Sequence, residues 1–451
     1  MKTVLESPSP AQPNSKRHLK INEVTYKSNL ESDYTEKISE LDKRFRYEDE
    51  QHHYWGTPEL SLFYGSALYE EASDEQKKAL NHLFWATQYD HVSASETSTT
   101  FYNTITAGVF ENVGGYETLC KSLHLETSQE KYHIHAFKAV SFKTKRALIK
   151  DFLTKPASEF FVNAPKPSPK KRKQTGNTRL SPEKAKFKTF RFLTKQLVKA
   201  QGHQYSALLQ KVDKAEHIPT MQQGYIGEAL PRTVLEYITY NWGTSPFLAC
   251  QHFIWRYMGN AHLKLWEYYY VKYYRTLQKQ GAALPAPTQI SYFHLMDESF
   301  HTTTSQLIAR DMYRDFAAPS LYEKQIANWI MYFMQRGILS EFSAAIPSMY
   351  RSDVELYPFY YRILRSSIFD LSADEALNWM EKIFCQEHEG MHLNLKMHRA
   401  LLTDLKRMVS KIDYLWPVNR DYRLMAEGAN IDKAISANTV GLRRFRQTVI
   451  R

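Results

Sequence analysis

Two Glu-x-x-His triplets constrain this chain more than any other feature. Glu130-x-x-His133 stands 34 positions after Glu96, and Glu298-x-x-His301 stands 31 positions after Glu267. His294 precedes Glu298 by one helical turn. Residues three, four and seven apart share a helix face. His294, Glu298 and His301 therefore occupy one narrow sector, and Glu130 lies beside His133. Both intervals carry helix breakers at their middle: Gly114-Gly115 in the first, and Gly281 with Pro285 and Pro287 in the second. Each reads as helix, turn, helix, with the acidic and imidazole groups roughly 20 to 27 Å along the helix from the turn. Two such hairpins bring these groups to one height.

Four carboxylates cannot share an apolar core without strong charge compensation. A glutamate from each of two helices, with Glu-x-x-His from two others, is a known way for a four-helix bundle to hold two metal ions. Imidazole and carboxylate ligands without cysteine suit iron and argue against thiolate zinc or iron–sulfur sites. The expected ligands are Glu96, Glu130, His133, Glu267, His294, Glu298 and His301. They would bind two iron ions, with di-manganese or mixed manganese/iron as variants. On spacing alone, His294 reads equally well as a third imidazole ligand or as a core histidine. Glu236 competes with Glu267 but lies 62 positions before Glu298, so it reads as a surface carboxylate. His135 points away from His133, and His252 and His262 read as packing or supporting residues.

The sequence reads as all-α. Long helices are expected over Ser73–Phe110, Thr127–Leu153, Pro246–Gln280 and Gln289–Phe316, with others near 30–50, 57–70 and 183–213 and onward to Val409. Residues 1–28, rich in Ser, Pro and Lys, are expected to form a flexible tail. The helical domain then spans 29–409, with the ligand bundle at about 75–315, and 410–451 is a C-terminal extension. A linker over 164–182 carries four prolines and the run Lys170-Lys171-Arg172-Lys173. That run reads as a solvated linker rather than a nucleic-acid contact or localisation signal. The net charge of +11 is not diagnostic. Three cysteines without a close pair suit a reducing compartment. No secretory leader or 18-residue apolar run is evident, so a soluble, cytoplasmic chain is expected.

One rival motif stands apart. His388-Glu389-x-x-His392 is the zinc-protease pattern, and His398 follows ten positions after His388. The third-ligand geometry needs a glycine turn, yet position 395 is leucine and Leu393 to Leu402 reads as unbroken helix. A Glu- and His-bearing helix face is the better reading, with a zinc protease kept as the lesser alternative.

The order Glu96, Glu130-x-x-His133, Glu267, His294-x-x-x-Glu298-x-x-His301 resembles the p-aminobenzoate N-oxygenase (AurF-like) family of di-iron oxygenases, within the ferritin-like superfamily. The resemblance covers roughly residues 75–315. It implies activation of dioxygen and N-oxygenation of an amine, often an arylamine, with an external electron donor. A homodimer is compatible with it; nucleic acid and membrane partners are not expected. The segment between His133 and Glu267 is longer than that pattern suggests. Other chemistry at such a centre, C–H hydroxylation or oxidative C–C cleavage, stays open, as does a metal-binding bundle without turnover.

Overall fold

The computed structural model describes residues 16–150, 159–162, 192, 237, 239 and 241–449. The proline-rich linker 164–182 and Glu236 lie outside these residues, as does the helix expected near 183–213 except for residue 192. Among the described residues the chain is all-helical, apart from one antiparallel bridge between Phe161 and Val449. No helix there is long and apolar enough to cross a membrane.

The main helices are α1 (Arg17–Glu31), α2 (Thr35–Arg44), α3 (Asp74–Val113), α4 (Glu117–Leu148), α5 (Pro246–Gln280), α6 (Ala286–Arg310), α7 (Leu321–Met334), α8 (Tyr357–Leu364), α9 (Ala373–Phe384), α10 (Glu389–Val409) and α11 (Ile431–Arg446). α3 pairs with α4, and α5 with α6, in the two most extensive helix contacts of the molecule. These are the two expected hairpins. Local chemistry sets their ends. Ser73 and Gln76 form a reciprocal capping box at the start of α3. Ser245 caps α5 just before Pro246. Gly114 (φ 78°) and Gly281 (φ 62°) close α3 and α5 in conformations that a side chain would strain.

Several boundaries differ from the sequence reading. The expected tail is helical from Arg17, because α1 docks through buried asparagines, with Leu19 and Ile21 against the core, rather than through a continuous apolar stripe. Asn29 and Gln129 exchange two amide hydrogen bonds (3.1 and 2.9 Å), and Ser122 donates to Asn22 (3.4 Å). α4 starts ten residues before Thr127, since Leu119, Cys120 and Leu123 extend its buried face. α6 ends at Arg310, where a 3-10 turn takes over. Residues 57–66 are turns rather than helix, and only Ala67–Glu71 coils there, behind the Ser66 cap. α11, in the expected extension, packs on α9, and Tyr357 donates to the Asn438 carbonyl at 3.0 Å.

Buried histidines make this core acid-sensitive. His82 stacks on Trp55 with ring centroids 4.1 Å apart. Its Nε2 donates to the His53 carbonyl at 2.8 Å, which leaves Nδ1 to accept from Tyr47 at 3.1 Å. Burial holds His82, His91 and His262 down to about 4. The unfolded chain takes up these protons near pH 6.5, so the stability from each neutral ring is complete above that pH. It is lost as pH falls toward 4, by up to about 3 kcal/mol per histidine. The urea midpoint should therefore fall from pH 7 to pH 4.5, and His82→Gln should show a shallower fall than the wild type. Identical slopes would contradict this origin.

Candidate metal centre

The four hairpin helices place all seven sequence-selected residues in one buried network. Glu267, His133, His294 and His301 have no exposed surface, and Glu96, Glu130 and Glu298 are at most 6 % exposed. His294 joins the two hairpins: Nδ1 lies 2.6 Å from Glu267 Oε1 on α5, and Nε2 lies 3.0 Å from Glu96 Oε1 on α3. His301 Nδ1 lies 2.7 Å from Glu298 Oε1 and 3.4 Å from Glu130 Oε1. His133 Nδ1 lies 3.2 Å from Glu130 Oε2.

Donor atoms of Glu96, His133, His294 and Glu298 lie within 4.8 Å of one another, as do those of Glu130, Glu298 and His301. Glu298 belongs to both sets, which is the place of a bridging carboxylate. Glu267 belongs to neither. Its Oε1 accepts from His294 and from the Tyr89 hydroxyl, while Oε2 is buried without a hydrogen-bond partner. Glu96 Oε2 is orphaned in the same way. Buried acceptors of this kind cost free energy unless a cation takes their lone pairs.

The residues behind the imidazoles sharpen this. The residue before each tripod glutamate reaches across to the histidine of the opposite tripod. Asp297 Oδ2 lies 3.2 Å from His133 Nε2, and Gln129 Oε1 lies 3.0 Å from His301 Nε2. An amide oxygen only accepts, so His301 carries its proton on Nε2. Its Nδ1 then faces carboxylate oxygens, and that arrangement needs a cation between them, whether proton or metal. The same holds for His133. Burial pulls the pKa of His133 down, but Asp297 and Glu130 outweigh it and push the ring up to about 9. His294 and His301 are likewise driven up against burial, chiefly by Glu267 and by Glu298 respectively. Burial, with the charge of Glu130, pushes Glu96 up to about 8. Oxygen and nitrogen donors, orphaned acceptors and oriented imidazoles together fit a pair of divalent ions.

Sequence reasoning missed five participants. Asp297 and Gln129 are legible in hindsight as the positions before Glu298 and Glu130. Glu126, one turn before Glu130, forms a buried ion pair with Arg256, which also reaches Glu130 at 3.2 Å. Asn260 donates to Glu298 Oε2 at 2.8 Å. No spacing rule links Arg256 or Asn260 to a tripod; only the packing of α5 against α4 and α6 does so. His135 turns away as expected and meets Asp42 at 2.7 Å, and His262 faces the Ser348 carbonyl at 2.6 Å.

The zinc-protease motif does not assemble. His388 is the N-cap of α10, with extended backbone (φ −154°), so it is out of helical register with His392. Its Nε2 bonds the Ile383 carbonyl at 2.9 Å. His392 is half-exposed and pairs with Glu387 at 2.8 Å. His398 is buried against the Met425 carbonyl at 2.9 Å. Among the described residues the two metal-competent groups are those of the bundle. Gly390 serves packing instead: a Cβ there would meet the Tyr64 carbonyl oxygen at 2.0 Å.

A narrow cleft of about 90 Å³ runs along α3 and α5 and reaches Glu96, Glu130 and Glu298. Its wall is largely aromatic and apolar, including Tyr102, Trp242, Trp255, Leu263 and Trp266. Compared with known families, residues 17–446 match the model of the CylC-like acyl halogenases. The chain belongs to that family. The match thus names the CylC-like family rather than the p-aminobenzoate N-oxygenases that the ligand spacing resembles. It also takes in α1 and the C-terminal helices, which the resemblance left out. No curated protein and no solved structure matches the chain.

The Arg256–Glu126 pair yields a stability test. Arg256→Met strands Glu126 and crowds Glu130 with uncompensated charge, so it should cost about 3–5 kcal/mol in urea unfolding. Arg256→Met with Glu126→Gln should recover most of that loss. Equal instability of the single and double variants would show that the guanidinium acts by packing alone.

Proposed function

We propose that this chain is a di-iron enzyme that uses dioxygen to replace a C–H hydrogen of an acyl substrate with halide. The observation that carries the reading is the family match over almost the whole chain, joined to a cleft of largely apolar surface that reaches the carboxylate cluster. The family description supplies the acyl group and the halogen. Among the described residues, the cleft wall adds no carboxylate beyond the three cluster glutamates.

Glu96, Glu130, His133, Glu267, His294, Glu298 and His301 would hold the two ions, with Glu298 shared. Iron held there supplies the reduction of dioxygen and the oxidising power for C–H cleavage. The protein's part is positional. Asp297 and Gln129 fix which nitrogen His133 and His301 present, and Asn260 orients Glu298. Tyr89 keeps its proton, because burial and Glu267 hold its pKa far up, so it stays a donor to that carboxylate. The aromatic wall excludes water, which protects a reactive centre from side reactions. The balance requires an external reductant: substrate C–H, halide, dioxygen, two electrons and three protons give the carbon–halogen bond and two waters.

N-oxygenation of an amine remains the second reading, supported by the ligand order with His294. The two separate by products. Iron-loaded protein with dioxygen, a chemical reductant, bromide and a medium-chain acyl thioester should give a brominated acyl product by mass spectrometry, whereas arylamines should be returned unchanged. Oxidised arylamine without bromoacyl product would reverse the assignment. Gly259 lies on α5 in the cleft wall, and a Cβ there meets nothing within 4 Å. Gly259→Leu should fill the cleft and lower acyl turnover at least tenfold while metal content is unchanged. As a helix-interior substitution it should also keep or raise stability. Unchanged turnover would mean the substrate enters elsewhere.

A further inference from the structure

Along the same cleft, two polar rings stand without partners. Trp242 and His252 are each 3 % exposed. Trp242 Nε1 and both ring nitrogens of His252 have no hydrogen-bond partner, and both residues line the cleft. Buried indole and imidazole groups usually find partners, and leaving them unpaired costs free energy. Their placement is not loose. Tyr102 packs against both, with ring centroids 4.4 Å from Trp242 and 4.7 Å from His252, and the two rings are themselves 5.1 Å apart. The Tyr102 hydroxyl is anchored on Thr239 at 2.7 Å.

We propose that Trp242 and His252 bind the carbonyl oxygen of the acyl substrate and so set which carbon of its chain lies at the metal centre. This rests on the acyl reading above. A carbonyl oxygen has two lone pairs, and the site offers one indole N–H and one imidazole N–H. Burial and the neighbouring Arg256 keep His252 neutral. A neutral pair of dipoles suits an uncharged acceptor, and the neighbouring Arg256 guanidinium is already paired with Glu126 and Glu130 rather than left as counter-charge for a halide. Distance supports the same assignment. His252 lies two turns before Asn260, the residue that holds Glu298, which is about 12 Å along α5. A carbonyl held at Trp242 and His252 therefore leaves several methylene lengths of chain to reach the carboxylates, through the aromatic part of the cleft.

The test is calorimetric binding of two probes to the metal-loaded protein: octanoyl-N-acetylcysteamine thioester, and the matching octyl thioether, which lacks the carbonyl oxygen. The wild type should prefer the thioester. Trp242→Phe and His252→Phe should each weaken thioester binding about three- to tenfold, the loss of one hydrogen bond, and leave the thioether unchanged. His252→Gln, which restores an N–H, should recover part of the thioester affinity. Variants that weaken both probes equally, or neither, would overturn the assignment. Bromide titration covers the other acceptor: if the variants lose bromide binding but keep the wild-type thioester preference, the pair serves halide and the proposal fails. If wild-type protein binds neither probe, the acyl reading itself is wrong, and this inference falls with it.

Discussion

The structure depends on holding a cluster of carboxylates inside an apolar bundle. Glu96, Glu130, Glu267 and Glu298, with Asp297 and Glu126 behind them, are all buried. Without matching positive charge such a core would not form, because each ionised carboxylate costs several kcal/mol to bury. Arg256 answers part of that demand. The three imidazoles answer more, and their raised pKa values measure how strongly the surrounding oxygens call for a cation. Metal ions held between these donors would satisfy the same demand. Folding and chemistry therefore draw on one electrostatic requirement.

The two halves of the centre are related but not equal. Each tripod histidine is steadied by the residue before the opposite glutamate, yet one such residue is an aspartate and the other a glutamine. The aspartate gives His133 a carboxylate on its outer nitrogen, where His301 has an amide oxygen. The glutamine is itself clamped by Asn29, so α1 braces the His301 side. On the open side, the cleft reaches Glu96, Glu130 and Glu298, while Glu267 is screened behind His294 and Tyr89. The cluster is therefore open along one edge and packed along the opposite one.

The all-α class, the two hairpins and the seven residues of the network were legible because each rests on periodicity. Helical spacing and glycine breakers place Glu96, Glu130, Glu267 and Glu298 at one height, and α5 begins and ends where its Ser-Pro start and Gly281 predict. What was not legible depends on contacts between distant segments. α1 carries no clear apolar stripe, so its docking through Asn22 and Asn29 left no periodic signal. Arg256, Asn260, Trp242 and His252 acquire their roles only once α5 lies against α3, α4 and α6. His388-Glu389-x-x-His392 shows the reverse error: a motif correct in letters fails because its first histidine is an N-cap. The ligand order pointed to N-oxygenation, and the match over residues 17–446 moved the family to the acyl halogenases. Ligand spacing carries little information about the substrate, which the cleft walls select.

The central claim is that the bundle core binds a metal pair through a shared Glu298. Metal content per chain, measured by inductively coupled plasma mass spectrometry after anaerobic iron loading, tests it most directly when wild type is compared with Glu298→Ala. The account predicts two ions per wild-type chain and the loss of at least one in the variant, with the helical circular dichroism retained. Wild-type protein that binds no metal, or a variant that still holds both ions, would contradict it.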